Sequence, residues 1–593
     1  MNLEETLKQA TVQIFKEEFD ADITTDAVTI NITKKEHEGD FTIVAFPLAK
    51  FAKMLPEQTA QKLGEAMQAK TGIVDRFNVI KGFLNLSLTD TYWLNRLKEI
   101  SKNNSYGTFS PNSQKVALEY CGPNTNKPLH IGHVRNMLLG FSMSEILKAT
   151  GYNVTKMNIY NDRGVAICQS MVAYLRYANG ATPKSSGIKG DHFVGDWYVK
   201  FNTVCMEEIT TLSNAPADKD EAKKLTPIYK DAQALLLKWE AGDKETIELW
   251  KKMNEWVYEG FQETYKLLGV DFQKDYYESE TYKLGKNIVD EGLQKKTFYK
   301  RADGAVAVDL TPDGLDEKVL LRADGTSIYI TQDIATAQLR YDEFEMNKLI
   351  YVVANEQDYH FKVLKLVLQK LGRKWAEGIY HLSYALVESP TGRFKSREGK
   401  TADADDLISE VLRIAEEKTK ELGKIEGFTE EEATKLYKTI GLGALKYFIL
   451  RVNPYKKIIF NPEESIDFHG HTGPFVQYTY ARIRAVIRKA GEQTNGFEIP
   501  SGLNLAAVER EIIIQLSEYE NVVKTAADKY DPSELANYVY TLAKTYNKFY
   551  HEHPILNAES ESEKKFRIAL SNETSVIIKK AMKLLGIDVP EKM

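Results

Sequence analysis

The chain has 593 residues, of which 43% are hydrophobic and 27% are charged, and its net charge is −6. This length predicts several domains, and the composition is typical of a soluble globular protein. The acidic balance excludes a globally basic protein, so nucleic acid would have to bind at local basic patches. No apolar run reaches the roughly 18 residues that a membrane helix needs.

The amino-terminal segment and the cysteines both indicate the cytoplasm. The first residues, MNLEETLKQATVQIF, have the spacing of an amphipathic helix and lack the features of a signal peptide. The cysteines Cys121, Cys168 and Cys205 are too few for a disulfide framework, and none belongs to a Cys-x-x-Cys pair. We therefore expect a cytoplasmic protein without a structural zinc site or any other bound metal centre, and without a membrane anchor.

Residues 1–108 are predicted to form a small α+β domain. A helix at the start is followed by strand-like and helical patterns at 28–33, 46–55 and 82–88. The polar stretch at 101–113 indicates a linker to the rest of the chain.

Strands and helices alternate in the next part of the chain. The apolar runs are VALEYC (116–121), NVTKMNIY (153–160) and KLIYVVA (348–354), and a helical pattern follows each. This alternation predicts a parallel, doubly wound sheet of the Rossmann type over 109–455. A charged, mostly helical insertion interrupts this region near 185–300, and its residues indicate no function. From 456 to 593 the pattern predicts an all-helical domain.

A short histidine motif lies where the first strand of this sheet ends. The loop after VALEYC closes with His130-Ile131-Gly132-His133, and a helix begins there. Ligands of open α/β sheets bind at the carboxyl ends of strands, and a helix amino terminus offers N–H groups to phosphate. Pro128 restricts the backbone geometry of the loop, and Gly132 lets a nucleotide lie close to the backbone. The two imidazoles can donate hydrogen bonds to a triphosphate. The alternative is two histidines at a helix start, one that caps the helix and one that is exposed, and the tetrapeptide alone does not decide between these interpretations.

A cluster of basic residues lies much later in the chain. The peptide TGRFKSREGK at 391–400 contains Arg393, Lys395, Arg397 and Lys400 beside two glycines. Cations on such a loop suit a developing pyrophosphate. A solvated basic turn is the simpler interpretation of this peptide by itself.

Together, the two segments resemble the signatures of class I aminoacyl-tRNA synthetases. PNTNKPLHIGHVRN contains the complete HIGH tetrapeptide, and its flanks are close to the arginyl form, with Cys121-Gly122 before the proline. The 391–400 peptide resembles a degenerate KMSKS loop. The resemblance implies ATP with Mg²⁺ as a substrate. It also implies ATP contacts from Pro128, His130, Gly132, His133, Arg393, Lys395 and Ser396.

The register of the second signature stays open. A match to the common KMSKSR form makes Lys395 the second signature lysine. A match to the arginyl form, KMSTRxG, aligns Arg393 with the first lysine and Ser396 with the threonine, so the second lysine is missing. Lys127, just before HIGH, is then expected to supply that charge, and we prefer this register. The residues expected to act in catalysis are His130, His133, Lys127, Lys395 and Arg397.

Two further segments resemble those that hold arginine in the arginyl enzymes. SIYITQDIATA (327–337) and VVANEQDYH (352–360) match the YxTxD and QDxH elements. A guanidinium needs planar, charged acceptors, so carboxylates are its expected partners. By this resemblance, the side chains that contact arginine are Glu119, Asn124, Tyr329, Asp333 and Gln357. Plainer alternatives are a helix cap for Asp333, a core position for Tyr329 and a helix start for Gln357.

Both ends of the chain also resemble the arginyl family. The first 108 residues resemble the domain that contacts the outer corner of tRNA, and Asn85 matches a residue said to reach the arginine pocket. GPFVQYTYARIRA (473–485) resembles the start of the anticodon-binding domain. Basic residues alternate there with Tyr478 and Tyr480, which suits stacked bases and phosphates, although a core position explains each tyrosine equally well. The predicted tRNA contacts are Tyr478, Arg482, Arg484, Arg488 and Met593.

The resemblance covers nearly the whole chain and implies an arginyl-tRNA synthetase. Its expected partners are L-arginine, ATP and tRNA(Arg), with a monomer as the functional form. Arginine would react with ATP to form an adenylate and then pass to the 2′-hydroxyl at the tRNA 3′ end. Bound tRNA would be required for the first step.

Two alternatives to this activity remain. One is another class I synthetase or a small nucleotidyltransferase, and the other is a non-catalytic tRNA-binding paralogue. One segment also departs from the family pattern, because NDRGVAI (161–167) lacks the glutamine expected two residues after Gly164.

Overall fold

The structure is a computed structural model, and it describes residues 3–34, 36–212, 218–388, 403–423, 425, 427–491 and 500–593. The chain divides into two compact units. Unit 1 comprises Met1–Tyr106, Ile483–Tyr519 and Lys544–Ile577. Unit 2 comprises Gly107–Arg482, Glu520–Ala543 and Ile578–Met593.

The first part of unit 1 combines helices with an antiparallel sheet. Its elements are α1 (Leu3–Glu18), β1 (Ile30–Ile32), β2 (Phe41–Val44), α2 (Phe46–Ala52), α3 (Pro56–Lys70), β3 (Val74–Ile80), β4 (Phe83–Leu88) and α4 (Asp90–Lys102). The strands pair in the order β1-β2-β4-β3. The left-handed residues Lys81 and Gly82 form the turn between β3 and β4. The predicted α+β character of this segment is confirmed.

Unit 2 begins with alternating strands and helices. Its elements up to the end of the helical insertion are β5 (Lys115–Glu119), α5 (Ile131–Ala149), β6 (Asn153–Tyr160), α6 (Val165–Tyr177), α7 (Pro183–Ser186), α8 (Gly190–Thr210), α9 (Lys219–Leu225), α10 (Pro227–Glu240) and α11 (Lys244–Leu268). The elements that follow are β7 (Lys274–Tyr277), α12 (Glu278–Thr281), α13 (Gly285–Gln294), β8 (Tyr299–Lys300), β9 (Val306–Val308), β10 (Lys318–Leu321), α14 (Tyr329–Phe344), β11 (Lys348–Ala354), α15 (Asp358–Lys370), β12 (Ile379–Tyr384), β13 (Val387–Glu388), α16 (Ala404–Glu421), α17 (Glu430–Leu450), β14 (Ile458–Ile459) and α18 (Pro462–Ser465).

A five-stranded parallel sheet in the order β12-β11-β5-β6-β7 forms the centre of unit 2. From β5 the chain moves to β6 and β7 on one side, and later to β11 and β12 on the other. The strand order therefore reverses between β5 and β11, and a crevice opens at their carboxyl ends. Both strands are almost continuously apolar and buried, as expected for strands covered on both faces. The predicted doubly wound sheet is confirmed.

The helical insertion is shorter than the range near 185–300 that the sequence suggests. The helices α7 to α11 end at Leu268, and β7 then pairs in parallel with β6. β7 reads KDYY and lies at the edge of the sheet, so its charged residues conceal it in the sequence. A separate antiparallel sheet of order β10-β9-β8 follows.

The carboxy-terminal part is helical, as predicted. Its helices are α19 (Gly473–Ala490), α20 (Ala507–Lys529), α21 (Pro532–Glu552) and α22 (Glu561–Leu584). Each of these helices contributes residues to both units. Among the described residues, no helix has both the length and the apolar character that crossing a membrane would require.

Candidate active site

A pocket occupies the crevice where the strand order of unit 2 reverses. Its walls come from the end of β5, the start of α5, the end of β6, α12, α14 and the junction of β11 with α15. The sequence-predicted residues that line it are Glu119, His130, Gly132, His133, Tyr329, Asp333 and Gln357. The fold therefore brings together elements that lie far apart in the chain.

The two histidines form a closed local arrangement at the start of α5. His130 is the residue before the helix, and its Nδ1 accepts a hydrogen bond from the Gly132 backbone N–H at 3.1 Å. The His130 backbone N–H in turn donates to Nδ1 of His133 at 3.1 Å. Because both Nδ1 atoms are acceptors, the ring hydrogen of each neutral imidazole is on Nε2. Helix capping and ligand binding are thus compatible, since capping leaves both Nε2–H donors available.

Both imidazoles are neutral at physiological pH. Desolvation and the nearby Lys127 charge lower the pKa of His130 to about 4. Desolvation, His130 and Lys127 lower the pKa of His133 well below its ordinary value. Gly132 is required for this geometry, because a Cβ there would lie 2.8 Å from Cε1 of His130. This end of the pocket therefore presents neutral N–H donors at a helix amino terminus, which suits a phosphate chain.

The loop between β5 and α5 is held by asparagines that sequence reasoning missed. Cys121 has a left-handed backbone (φ 83°), and its N–H donates to Oδ1 of Asn136 at 2.6 Å. Nδ2 of Asn136 donates to the Val352 carbonyl at 2.6 Å, so one amide joins the ends of β5 and β11. A left-handed non-glycine residue is a strained conformation that surrounding contacts must maintain. The available sequence signal was a polar residue on the buried face of α5.

The predicted site residues of the loop before the histidines, namely Asn124, Lys127 and Pro128, lie near the pocket without lining it. Asn124 is exposed and pairs with Asn161, whose side chain donates to the Gly122 carbonyl at 3.0 Å. Lys127 and Pro128 stand beside the histidines and, like Asn124, are not among the described residues that line the pocket. A Cβ on Gly195 would lie 2.7 Å from Cδ of Pro128, so α8 of the insertion packs closely against this loop.

A second part of the pocket lining, called the acidic end below, contains three carboxylates. Carboxylates from β5, α12 and α14, those of Glu119, Glu278 and Asp333, lie around Tyr329. The charge of Asp333, followed by desolvation and the charges of Glu119 and Glu278, raises the pKa of the Tyr329 phenol. Tyr329 is 60% exposed, which excludes the core alternative. Asp333 lies inside α14, four residues after the first residue of the helix, so it is not the helix cap.

Two of the three carboxylates, those of Asp333 and Glu119, have different partners. Asp333 Oδ2 lies 2.6 Å from Nε2 of His360. Glu119 forms an ion pair with Arg340, which is 1% exposed and lies over the ring of Tyr276 at 4.8 Å. Burial raises the pKa of Glu119, and the Arg340 charge acts against that rise. Residues 329, 333, 336 and 340 share one face of α14 by helical spacing, which is the signal that identifies Arg340.

Glu278 is the pocket carboxylate that sequence reasoning missed. Its carboxylate makes no hydrogen bond or ion pair with any residue that the structure describes, and the residue is half-buried. Burial raises the pKa of Glu278 to about 7, against the charge of Arg163 and assisted by Asp162 and Asp333. Its segment, YESE, gives no sequence signal because it resembles an ordinary charged helix start.

Comparison with known proteins identifies the family. The model of the class I (R) tRNA synthetase catalytic domain matches residues 97–461, the arginyl tRNA synthetase N-terminal domain matches 1–88, and the DALR anticodon binding domain matches 476–593. Arginine–tRNA ligases of Parabacteroides distasonis and Amoebophilus asiaticus are 51% and 50% identical over the full length of both chains. The chain belongs to the arginyl-tRNA synthetase family. The family resemblance expected from the signatures is confirmed.

Solved arginyl-tRNA synthetases share this fold. The enzyme of Thermus thermophilus has a TM-score of 0.81 at 24% identity, with all of both chains covered. The enzyme of Plasmodium falciparum has a TM-score of 0.76 at 18% identity, covering 100% of this chain and 99% of that one.

Other residues assigned by resemblance to arginyl-tRNA synthetases lie in unit 1, at a helix start or outside the described part of the chain. Asn85 lies on β4 of unit 1 and is 2% exposed; its amide accepts from Thr42 at 2.6 Å and donates to Asn78 at 2.8 Å. Gln357 precedes α15, as its plainer interpretation holds, yet it also lines the pocket. The second-signature residues, namely Arg393, Lys395, Ser396 and Arg397, lie outside the described residues.

The residues that family resemblance assigns to tRNA lie on α19 and at the carboxyl terminus. The Arg482 guanidinium lies 4.8 Å from the centre of the Tyr478 ring. Arg484 is half-buried, Arg488 is exposed, and Met593 is half-buried. Tyr480 is a core residue, because it is 2% exposed and its hydroxyl donates to Glu591 at 2.6 Å.

A second charged cluster joins the insertion to the start of α16. Potential metal ligands from Asp191, His192 and Asp405 lie within 4.8 Å of one another. Nζ of Lys189 lies 2.6 Å from Asp405 and 3.3 Å from Asp191, so an ammonium already supplies the cation there. Despite burial, the hydrogen bond to Asp405 and the nearby acidic charges raise the pKa of His192 to about 9. This cluster is an ionic contact between α8 and α16.

Proposed function

We propose that this chain activates L-arginine with ATP to form arginyl-adenylate and then transfers the arginyl group to the 3′ end of tRNA(Arg). The supporting observation is one pocket with two differently charged ends. Neutral imidazole donors at a helix start suit a triphosphate, and three carboxylates suit a guanidinium. The two ends are joined across the ends of β5 and β11, where reactants would meet.

The acidic end is proposed to bind the arginine side chain through Asp333, Tyr329 and Glu278. Glu278 supports this assignment most directly, because it has no partner among the described residues and a guanidinium would supply one. Two carboxylates on one planar, permanently charged group give charge-assisted hydrogen bonds. A lysine side chain has the same charge without the planar fork, so the arrangement favours arginine.

The arginine amino group is proposed to lie near Glu119, Gln357 and Asn124. Glu119 and Gln357 line the pocket. Asn124 pairs with Asn161, which lines the pocket, and this pairing supports the proposal for Asn124. The same resemblance assigns Asn85 to this region.

The histidine end is proposed to stabilise the first reaction step. An arginine carboxylate oxygen forms a bond to the α-phosphorus of ATP, the bond to the bridging oxygen breaks, and pyrophosphate leaves with that electron pair. Nε2–H of His130 and of His133 would donate to the phosphate oxygens as charge develops. Lys127 would add a positive charge close by, and Mg²⁺ would arrive bound to ATP. No side chain has to form a covalent bond.

The second step is proposed to use the tRNA ribose 2′-hydroxyl. Its oxygen attacks the carbonyl carbon of the adenylate, and the bond from that carbon to the phosphate oxygen breaks. AMP leaves with that electron pair, and the hydroxyl proton is released with it. The second-signature residues Arg393, Lys395, Ser396 and Arg397 are proposed to act on pyrophosphate in the first step, together with Pro128 and Gly132 at the nucleotide. Tyr478, Arg482, Arg484, Arg488 and Met593 are proposed to contact tRNA. We further propose that the enzyme is a cytoplasmic monomer.

The test is ATP–pyrophosphate exchange with each of the amino acids, with and without tRNA(Arg). Among the amino acids, we expect only arginine to support exchange, and we expect that exchange only when tRNA(Arg) is present. Exchange with another amino acid would reject the assigned substrate, and exchange without tRNA would reject the tRNA requirement. A chain that binds tRNA without any exchange or charging would be a non-catalytic paralogue.

A further inference from the structure

The NDRG segment at the end of β6 contains a buried acid that the reaction above does not use. Asp162 is 1% exposed. Its Oδ1 accepts from the Ser279 backbone N–H at 2.9 Å, and its Oδ2 accepts from the Ser279 hydroxyl at 2.7 Å. Oδ2 also accepts from the Tyr258 hydroxyl at 3.1 Å. A buried carboxylate with this many donors is a fixed point in the structure.

Asp162 holds the residue directly after Glu278. Two of its hydrogen bonds end on Ser279, one on the backbone and one on the side chain, so the chain at the start of α12 has little freedom. The Glu278 carboxylate itself has no hydrogen bond or ion pair in the described part of the chain. The position of its carboxylate therefore depends on this backbone anchor, since no side-chain partner orients it.

The helical insertion takes part in the same arrangement. Trp250 and Tyr258 lie on α11 at helical spacing that places them on one side. Tyr258 donates to the Asp162 carboxylate, and Nε1 of Trp250 donates to the Asp162 carbonyl at 2.7 Å. The insertion thus contacts Asp162 at both its side chain and its backbone.

We propose that Asp162 is a positioning residue for Glu278, and that α11 of the insertion thereby sets how tightly the pocket holds a guanidinium. The inference rests on the proposed function, in which Glu278 binds the arginine side chain. It assigns the insertion a part in substrate affinity. Trp250 and Tyr258 act on arginine without touching it.

The main test is a double-mutant cycle between Asp162→Asn and Glu278→Gln in the full-length enzyme. Asp162→Asn preserves shape, but its amide places a donor where the carboxylate accepts from hydroxyls. We expect it to raise the KM for arginine about tenfold and to leave the KM for ATP unchanged. In the Glu278→Gln background the same change should alter the arginine KM by less than about twofold, because the two residues act as one unit.

A pH profile separates positioning from a purely structural role. The charged and titratable groups that face Glu278 are Arg163, Asp162, Asp333 and Tyr329. Burial is the main cause of the raised pKa of Glu278, and the Asp162 charge adds to it. Removing that charge in Asp162→Asn should move the pH dependence of arginine affinity to lower pH. Ser279→Ala keeps all of the carboxylates. It should weaken arginine binding and leave the pH dependence of arginine affinity where it is in the unaltered enzyme.

Control variants keep the proposal falsifiable. Asn254→Ala removes a buried side chain from α11 that bonds only within the helix, to the Trp250 carbonyl at 2.9 Å. It should leave the arginine KM unchanged even if it lowers the melting temperature. If Asp162→Asn fails to fold, Ser279→Ala and Tyr258→Phe replace it in the same cycle.

Equal effects of Asp162→Asn with and without Glu278 would overturn the positioning role. That outcome would leave arginine charging by the unaltered enzyme intact. Failure of the unaltered enzyme to charge arginine would instead reject the proposed function.

Discussion

The histidine end and the acidic end of the pocket are built in different ways. At the histidine end, two side chains three residues apart bond to backbone groups of the same helix start, so a few consecutive residues define the geometry. At the acidic end, the carboxylates of Glu119, Glu278 and Asp333 come from different elements, and distant residues hold them. One end is local in the chain, and the other depends on the whole sheet.

The two ends also differ in the charge of their side chains. Desolvation keeps both imidazoles neutral, and we propose that they act as fixed donors. At the acidic end, carboxylates stay close together through an arginine, a histidine and a network of hydrogen bonds. Changes at the histidine end should therefore affect the rate of adenylate formation, whereas changes at the acidic end should affect arginine affinity and its dependence on pH.

The largest effect is expected from His130→Ala. Removing a preorganised donor to developing charge should lower arginine-dependent ATP–pyrophosphate exchange by roughly 10²–10³-fold. His130→Asn is the matched control, because asparagine preserves the helix cap but lacks the Nε2–H donor. It should restore the melting temperature without restoring exchange. Near-normal exchange in His130→Asn would mean that the histidine serves only as a cap.

Asp333→Asn should produce the next largest effect, and this variant should change arginine affinity instead of the rate of adenylate formation. Loss of one charge-assisted partner costs about 1.5–3 kcal/mol, which corresponds to a rise of roughly 10- to 100-fold in the KM for arginine. The KM for ATP should not change. Asp342→Asn, an exposed acid on the same helix, is the control and should have no effect. If Asp333→Asn lowers kcat and leaves the arginine KM unchanged, Asp333 does not bind arginine in the ground state and the proposed role is wrong.

Lys127→Ala should resemble a histidine variant despite its position outside the pocket lining. Its charge should act mainly in the transition state, so kcat should fall about tenfold or more with little change in the arginine KM. Lys395→Ala, measured in parallel, distinguishes the two registers of the second signature. If Lys395→Ala is the more damaging variant, the register without a second lysine is wrong.

The pH dependence of arginine binding should belong to the acidic end alone. Glu278 has a pKa of about 7, raised mainly by burial, and it must be charged to pair with a guanidinium. Arginine affinity should therefore fall as pH decreases through 7, by up to about tenfold per pH unit. Glu278→Gln should bind arginine more weakly and should lose this dependence. A pH dependence that persists in Glu278→Gln would assign it to another group.

The smallest effect is expected from Arg484→Glu on α19, which belongs to neither end. The variant should raise the KM for tRNA several-fold and lower the salt slope of tRNA binding by about one unit. Binding of ATP should not change. Unaltered tRNA binding would mean that the recognition surface lies elsewhere.

Sequence patterns were sufficient for the histidine end. HIGH contains its own glycine and follows strand β5 after one short loop, and the cap bonds of its two histidines span only a few residues. The alternation of apolar runs with helical spacing likewise predicts the parallel sheet, because buried strands and amphipathic helices impose their periods on the chain. Asp333 and Tyr329 were found by their spacing and their resemblance to a known element.

Tertiary structure alone decided how the acidic end is held. Glu278 follows an edge strand with no hydrophobic signal, and its carboxylate reaches the pocket only because β7 pairs with β6. The Arg340 partner of Glu119 and the Asp162 contacts of the insertion join residues remote in sequence. The hydrophobic periodicity of a segment predicts which of its faces packs against the core. The burial and pairing of a charged side chain depend instead on which other segments pack beside it. The pairing and the pKa of these carboxylates therefore arise only when the sheet is assembled.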